Sequence, residues 1–202
     1  LWSRGLGDVY KRQPFPSAQP FGDPAAIRCE RAASELRAGR PVLITDAQGH
    51  TRAVLGLDSS TAQSYTAFAR AAQGRHYLFV TPTRAQVLGL VAPQGARVAL
   101  ASHDYDQLAA LAYLRDTPVP SQWTPGDALD AGAVEIARLG LLLPAMLAVE
   151  LPGEQDRAAF AGCQSLALDD LDSGCATSAA AGYELVTRSP VPVSYTHLTL
   201  PT

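Results

Sequence analysis

Cys163 and Cys175 flank the stretch "QSLALDDLDSG", which carries Asp169, Asp170 and Asp172. Thiols and carboxylates in one short segment raise the question of a metal site. Zinc would want ligands two to four residues apart with further partners elsewhere, and the spacing here fits two incidental thiols in a solvated acidic loop. The histidines are scattered: His50 falls in an expected turn, His76 at a strand start and His103 near a helix cap. None stands at a telling spacing from a carboxylate, so each reads as a surface or hydrogen-bonded side chain. Ser59-Ser60 reads as a helix cap and Trp123, in a Pro-rich loop, as a packing anchor. A phosphate cradle would need a glycine-rich loop between strand and helix. The stretches "QGARVAL" and "AQGRHY" lack that spacing.

The elements that must carry these residues are well punctuated. Asp23-Pro24 pairs an N-cap with a first-turn proline, and Ala25, Cys29, Ala32, Ala33 and Leu36 then recur on one helical face up to Gly39. "RPVLITD" predicts a strand, Gln48-Gly49 a turn, and "TRAVLGL" the returning strand. A second helix, capped by Ser59 or Ser60, turns Tyr65, Phe68, Ala69 and Ala72 inward and closes at Gly74. "HYLFV" predicts a third strand, and Thr81-Pro82 opens a short helix that Gly89 ends. "ARVAL" gives a fourth strand, a helix runs from about 104 to 114, and a loop spans Thr117 to Pro125. A long helix from about Asp127 to Leu142 turns Val134, Ile136, Ala137 and Leu141 inward, ahead of the strand "AMLAVEL". The segment 152–181 is weakly patterned, and "YELVTR" reads as a last strand. This mixed order predicts an α/β or α+β fold with a single mixed sheet covered by helices.

Both ends differ from the middle. The only lysine, Lys11, lies in "GDVYKRQ". Asp8 to Gln13 can be encoded as GAT GTG TAT AAG AGA CAG, whose reverse complement, read two bases in, encodes Val193 to His197. One short DNA element in both orientations would account for both ends, as a translated sequencing adapter does. Residues 1–13 and 193–202 are therefore expected to be foreign to the fold, with a domain over 14–182 (core 24–151) and a connection over 183–192 to a further domain. Setting the ends aside takes Lys+Arg from 16 to 13 and Asp+Glu from 19 to 18, so the net charge moves from −3 to −5. That balance speaks against a nucleic-acid binder, which needs clustered cations against phosphate. The longest apolar run, "LGLLLPAMLAV", is too short to span a bilayer and contains Pro144. Three cysteines do not make a disulfide framework, and a reducing cytoplasm is the expected setting.

Two stretches, "AASELRAGRPVLITD" and "HYLFVTPTRAQVLGL", resemble the opening of dihydroxybutanone phosphate synthase, a riboflavin-pathway lyase. "AGAVEIARLGLLLPAMLAVEL" is similar to a later helix and strand of the same family, so the resemblance runs in order from about Arg31 to Leu151. It implies a synthase-like fold. The departures fall on the family's chemistry. Its first strand feeds an acidic loop that binds magnesium and moves protons; here that position reads Asp46-Ala47-Gln48-Gly49-His50-Thr51-Arg52. Its G-H-T-E metal motif matches Ala128-Leu129-Asp130-Ala131. Only Glu150 matches the glutamate at the end of the later strand. Hard cations need several oxygen ligands, so the resemblance implies a vestigial site of Asp46, Arg52 and Glu150, with no catalytic residue and no metal ligand.

A synthase scaffold with a lost site is similar to the N-terminal part of a class of bacterial GTP cyclohydrolase II proteins. "TPGDALDAGAVEIARLGLLLPA" and "AAGYELVTRSPVPV" suit that class. The resemblance implies a scaffold or regulatory domain whose partner is a downstream cyclohydrolase domain of the same chain, with a homodimer as a further option. It implies zinc in that downstream domain, held by a C-x-C pair absent here, and no cofactor in this one. Two alternatives stay open at this point: an unrelated small-molecule or nucleotide-binding α/β domain, and a synthase still active through a rebuilt site.

Overall fold

The computed structural model describes residues 22–100 and 104–180, with side chains described to residue 174. One seven-stranded mixed sheet forms the centre. In chain order the elements are α1 (Pro24–Arg37), β1 (Val42–Thr45), β2 (Thr51–Gly56), α2 (Ala62–Ala71), β3 (Tyr77–Val80), α3 (Pro82–Val87), β4 (Ala96–Ala99), α4 (Tyr105–Tyr113), β5 (Trp123–Pro125), α5 (Ala128–Leu139), β6 (Ala145–Glu150), α6 (Glu154–Ala158), β7 (Gln164–Ala167) and α7 (Leu168–Ala180). The strands lie in the order β5-β4-β3-β6-β2-β1-β7. All neighbours are antiparallel except β1 and β7, which run parallel.

Strand alternation divides the core between the two faces. On one face Leu55, Leu78, Val98 and Leu147 pack with Phe68, Leu108, Leu111 and Phe160. On the other, Ile44, Val54, Phe79 and Met146 pack with Leu36 of α1 and with Leu129, Ala133 and Ile136 of α5. The second face positions the candidate site.

Local chemistry sets the ends of these elements. Asp23 caps α1 by accepting from the Ala25 N–H at 3.1 Å, and Gly39 leaves that helix at φ +69°. Thr81 caps α3 ahead of Pro82. Arg84 of α3 reaches across to the C-terminus of α4, donating to the carbonyls of Leu111 (2.7 Å) and Leu114 (2.6 Å). It thereby satisfies carbonyls that a helix end leaves without intrahelical partners.

Several expectations need correction. Thr61 caps α2, in a reciprocal box with Ser64, while Ser59 donates to the Leu36 carbonyl and Ser60 to that of Leu57. The Pro-rich loop ends in edge strand β5, because Trp123 packs its ring on the core while the backbone pairs with Val98. Helix α5 stops at Leu139, and Leu141 is 89% exposed at φ +56° rather than buried. The weakly patterned segment after Pro152 holds α6, β7 and α7. Asp169 and Asp170 sit in the first turn of α7, where acidic side chains suit the helix dipole. Asp170 forms a two-pronged pair with Arg28 at 2.6 and 2.9 Å. His103 and the expected strand 183–188 lie outside the described residues.

Candidate functional site

The site forms where four strands deliver side chains to the face beneath the N-terminus of α5. Arg52 of β2 lies directly across from Glu150 of β6. Tyr77 and Phe79 of β3 share the same face, as does Arg97 of β4, which pairs with Phe79. Helix α5 arrives above them with Asp127 as N-cap and Asp130 in its first turn, each bonding the other's backbone N–H at 3.1 Å. Its approach depends on glycine. A Cβ on Gly126 would lie 2.4 Å from the Phe79 ring and 2.8 Å from the Gln94 carbonyl oxygen. Only a bare Cα lets the chain pass between them.

Two arginines and three carboxylates then meet. Arg52 donates to Asp127 at 2.6 and 2.9 Å, lies 2.9 Å from Asp130, and reaches Glu150 at 3.2 Å. Arg97 reaches Asp130 at 2.5 Å and Glu150 at 2.9 Å, and also pairs with Asp127. Each guanidinium therefore touches all three carboxylates. Both cations stand over the Tyr77 ring, at 5.9 Å for Arg52 and 5.2 Å for Arg97, a favourable placement against the ring quadrupole. The Tyr77 hydroxyl donates to Asp130 at 2.9 Å. Asp130 is fully buried and the Arg52 side chain is 3% exposed, whereas Asp127 and Glu150 are 47% and 60% exposed.

The electrostatics follow this gradient. Burial would raise the Asp127 carboxyl, but hydrogen bonds from Arg52 and Arg97 outweigh it and hold the group well below the usual carboxylate range. For Asp130, burial wins over the same two arginines and the pKa rises. Tyr77 is pushed above its ordinary value by burial and by the Asp130 charge. Both guanidiniums stay firmly charged: burial opposes this most strongly, but Asp127, Tyr77 and Asp130 together outweigh it for Arg52, and Asp130, Tyr77 and Asp127 together for Arg97.

The expected site residues fall as follows. Arg52 and Glu150 are brought into contact. Asp46 lines the same cleft of about 490 Å³, together with Ala128 and Leu129. Its hydrogen bonds go to its own turn, from the N–H groups of Gln48 (3.0 Å) and His50 (2.8 Å), and His50 Nδ1 lies 2.8 Å from it. His50 thus has the carboxylate partner that its spacing did not advertise. Burial would raise the Asp46 pKa, but the His50 bonds lower it. Ala131 faces a second, larger cleft of about 880 Å³ beside α3. Asp127, Asp130, Arg97 and Tyr77 were not singled out from the sequence as site residues. Strand alternation, which puts Arg97 and Tyr77 on the face of Phe79, is the signal that points to two of them. Among the described residues, no group of three or more His, Cys, Asp or Glu is arranged to hold a metal ion. Cys163 is half-buried and its thiol pushed up by burial.

Comparison with known proteins decides the relationship. The chain is 58% identical over 174 residues to GTP cyclohydrolase-2 of Xylella fastidiosa strain Temecula1, and equally to that of strain 9a5c. The chain is a homologue of these GTP cyclohydrolase-2 proteins. The match takes in 86% of this chain and 44% of theirs, so the chain spans less than half of each relative's length. No protein-family model matches it. Among solved structures it is similar to a two-domain 3,4-dihydroxy-2-butanone 4-phosphate synthase from A. baumannii, at TM-score 0.54 and 17% identity over 71% of this chain and 56% of that one. It is also similar to a synthase of the same name in complex with two magnesium ions, at TM-score 0.53 and 17% identity over 74% of this chain and 96% of that one. At that identity the likeness shows the fold alone, and the fold is synthase-like. The homology sets aside the alternative of an unrelated small-molecule or nucleotide-binding domain. Among the described residues, no helix is long and apolar enough to cross a membrane.

Proposed function

We propose that this chain is the non-catalytic, synthase-like domain of a riboflavin-pathway GTP cyclohydrolase II, acting in a cytoplasmic enzyme as scaffold or regulator. The observation that carries the reading is that the three carboxylates beneath α5, Asp127, Asp130 and Glu150, are each held by both Arg52 and Arg97. General acid–base work needs a carboxylate free to exchange a proton with substrate. Here Asp46 is tied to its turn, Asp127, Asp130 and Glu150 to guanidiniums, and Leu129 and Ala131 carry no titratable group. Asp46, Arg52 and Glu150 are on this reading the remains of a synthase site.

The fold relative with two magnesium ions raises the same question for this chain. The residues present do not fit a magnesium site. Such an ion needs several free oxygen ligands in near-octahedral geometry, and the oxygens nearest one another here already accept from two arginines. No step is routed through a metal in this domain.

In the intact protein, GTP would be converted to a diaminopyrimidine ribosyl phosphate, formate and pyrophosphate in a domain downstream of this one. Zinc held by cysteines of that domain would supply an activated water. A homodimer is a further option on this reading. The direct test incubates the purified chain with ribulose 5-phosphate and magnesium. The expected result is no dihydroxybutanone phosphate and no formate, and Ala131→Glu should not restore either. Turnover by the unmodified chain would establish the still-active alternative. Light scattering tests the dimer, and the uninterrupted gene, read past Pro192, tests the downstream domain.

A further inference from the structure

The arginine–carboxylate cluster is more than a damaged metal site, because its parts are closely matched. Two guanidiniums face three carboxylates, and each cation contacts each anion. The participants come from β2, β4, β6 and the first turn of α5, and Tyr77 of β3 bonds Asp130 from below. The sum is one negative charge, and every nitrogen of the two guanidiniums except the buried Arg52 Nε has a carboxylate partner. A surplus of anionic groups does not favour a sugar phosphate. A divalent cation would have to displace two tethered cations, one of them on a side chain that is 3% exposed. We infer that Arg52 and Arg97 are built-in counter-ions that stand in for a divalent cation and clamp the N-terminus of α5 to the sheet. This inference rests on the non-catalytic reading above and gives it a physical cause in this chain's own residues.

The probe is Mn²⁺ alone, with free metal followed by electron paramagnetic resonance in the full chain. Wild type should show no saturable binding at this cluster, and the Arg97 Nε–H resonance should stay sharp as Mn²⁺ is added. Arg97→Gln leaves three carboxylates to one cation. Removing a unit charge a few ångströms away should raise Mn²⁺ affinity by on the order of tenfold or more. Arg97→Lys keeps the charge and should show no such rise, and Arg97→Gln combined with Glu150→Gln should lose it. Saturable Mn²⁺ binding by wild type that Glu150→Gln abolishes overturns the inference, as does an Arg97→Gln chain that folds and binds no better than wild type. If Arg97→Gln does not fold, wild type and the Glu150→Gln variant still decide, since Glu150 is 60% exposed. Mn²⁺ binding at this cluster by wild type, without turnover of ribulose 5-phosphate, would sink the clamp alone. Turnover would sink the non-catalytic reading.

Discussion

Replacing Asp130 by asparagine keeps the shape of the side chain and removes its charge. The wild-type carboxylate is fully buried and lies within hydrogen-bonding distance of Arg52 (2.9 Å), Arg97 (2.5 Å) and the Tyr77 hydroxyl (2.9 Å). An asparagine amide has one acceptor oxygen, so its NH₂ must face a guanidinium donor. Breaking a buried ion pair from one side costs about 3–5 kcal/mol, because the remaining charge stays buried without its partner. In a domain of this size each 1 kcal/mol moves the melting temperature by roughly 2–4 °C, so a fall of roughly 6–20 °C follows. Asp127→Asn is the internal control. It removes the same charge from the same two arginines, but Asp127 is 47% exposed and asparagine is as good an N-cap. Solvent screens its loss, and about 1 kcal/mol is expected. Calorimetry or urea denaturation on the three proteins measures the contrast. If the two variants lose equal stability, or if Asp130→Asn stays within about 0.5 kcal/mol of wild type, burial is not what makes this cluster matter.

Three further outcomes follow from the same structure. Gly126→Ala should destabilise by about 1–3 kcal/mol, since its Cβ would meet the Phe79 ring at 2.4 Å; the double variant with Phe79→Leu should recover part of this in a mutant cycle. His76 is 8% exposed with Nδ1 unpartnered, and burial lowers its pKa. The unfolded chain therefore binds the proton more readily, and stability present above the ordinary histidine pKa should fall as pH drops through it. Thermal scans from neutral to mildly acidic pH should show this fall, and His76→Gln should flatten it. Arg84→Met should destabilise through the end of α4, so hydrogen exchange should quicken at Leu111 to Leu114 before it does in the sheet.

Periodicity and punctuation made most elements legible because they are local. The inward face of α1, the turn at Gln48-Gly49 and the Thr81-Pro82 helix start each rest on a few neighbouring residues. The misses have physical causes of the same kind. Leu141 fits the helical period, but the chain turns left-handed at that residue, and a single apolar side chain is left in solvent. β7 is short and has only one buried residue, Leu166, so no pattern of period two stands out; pairing with β1 makes it a strand. The site was half legible. Arg52 and Glu150 stand at positions that a family resemblance marks, whereas Arg97 joins them only because β3 lies between β4 and β6 in the sheet. That order is a property of the whole chain. Asp127 reads from the sequence as a helix start, and it is one, closing a capping box with Asp130 over α5. Their second use becomes visible only when the helix is laid across the strand ends. The same two carboxylates that begin α5 then pair with the two arginines beneath it, so each serves the helix start and the site at once.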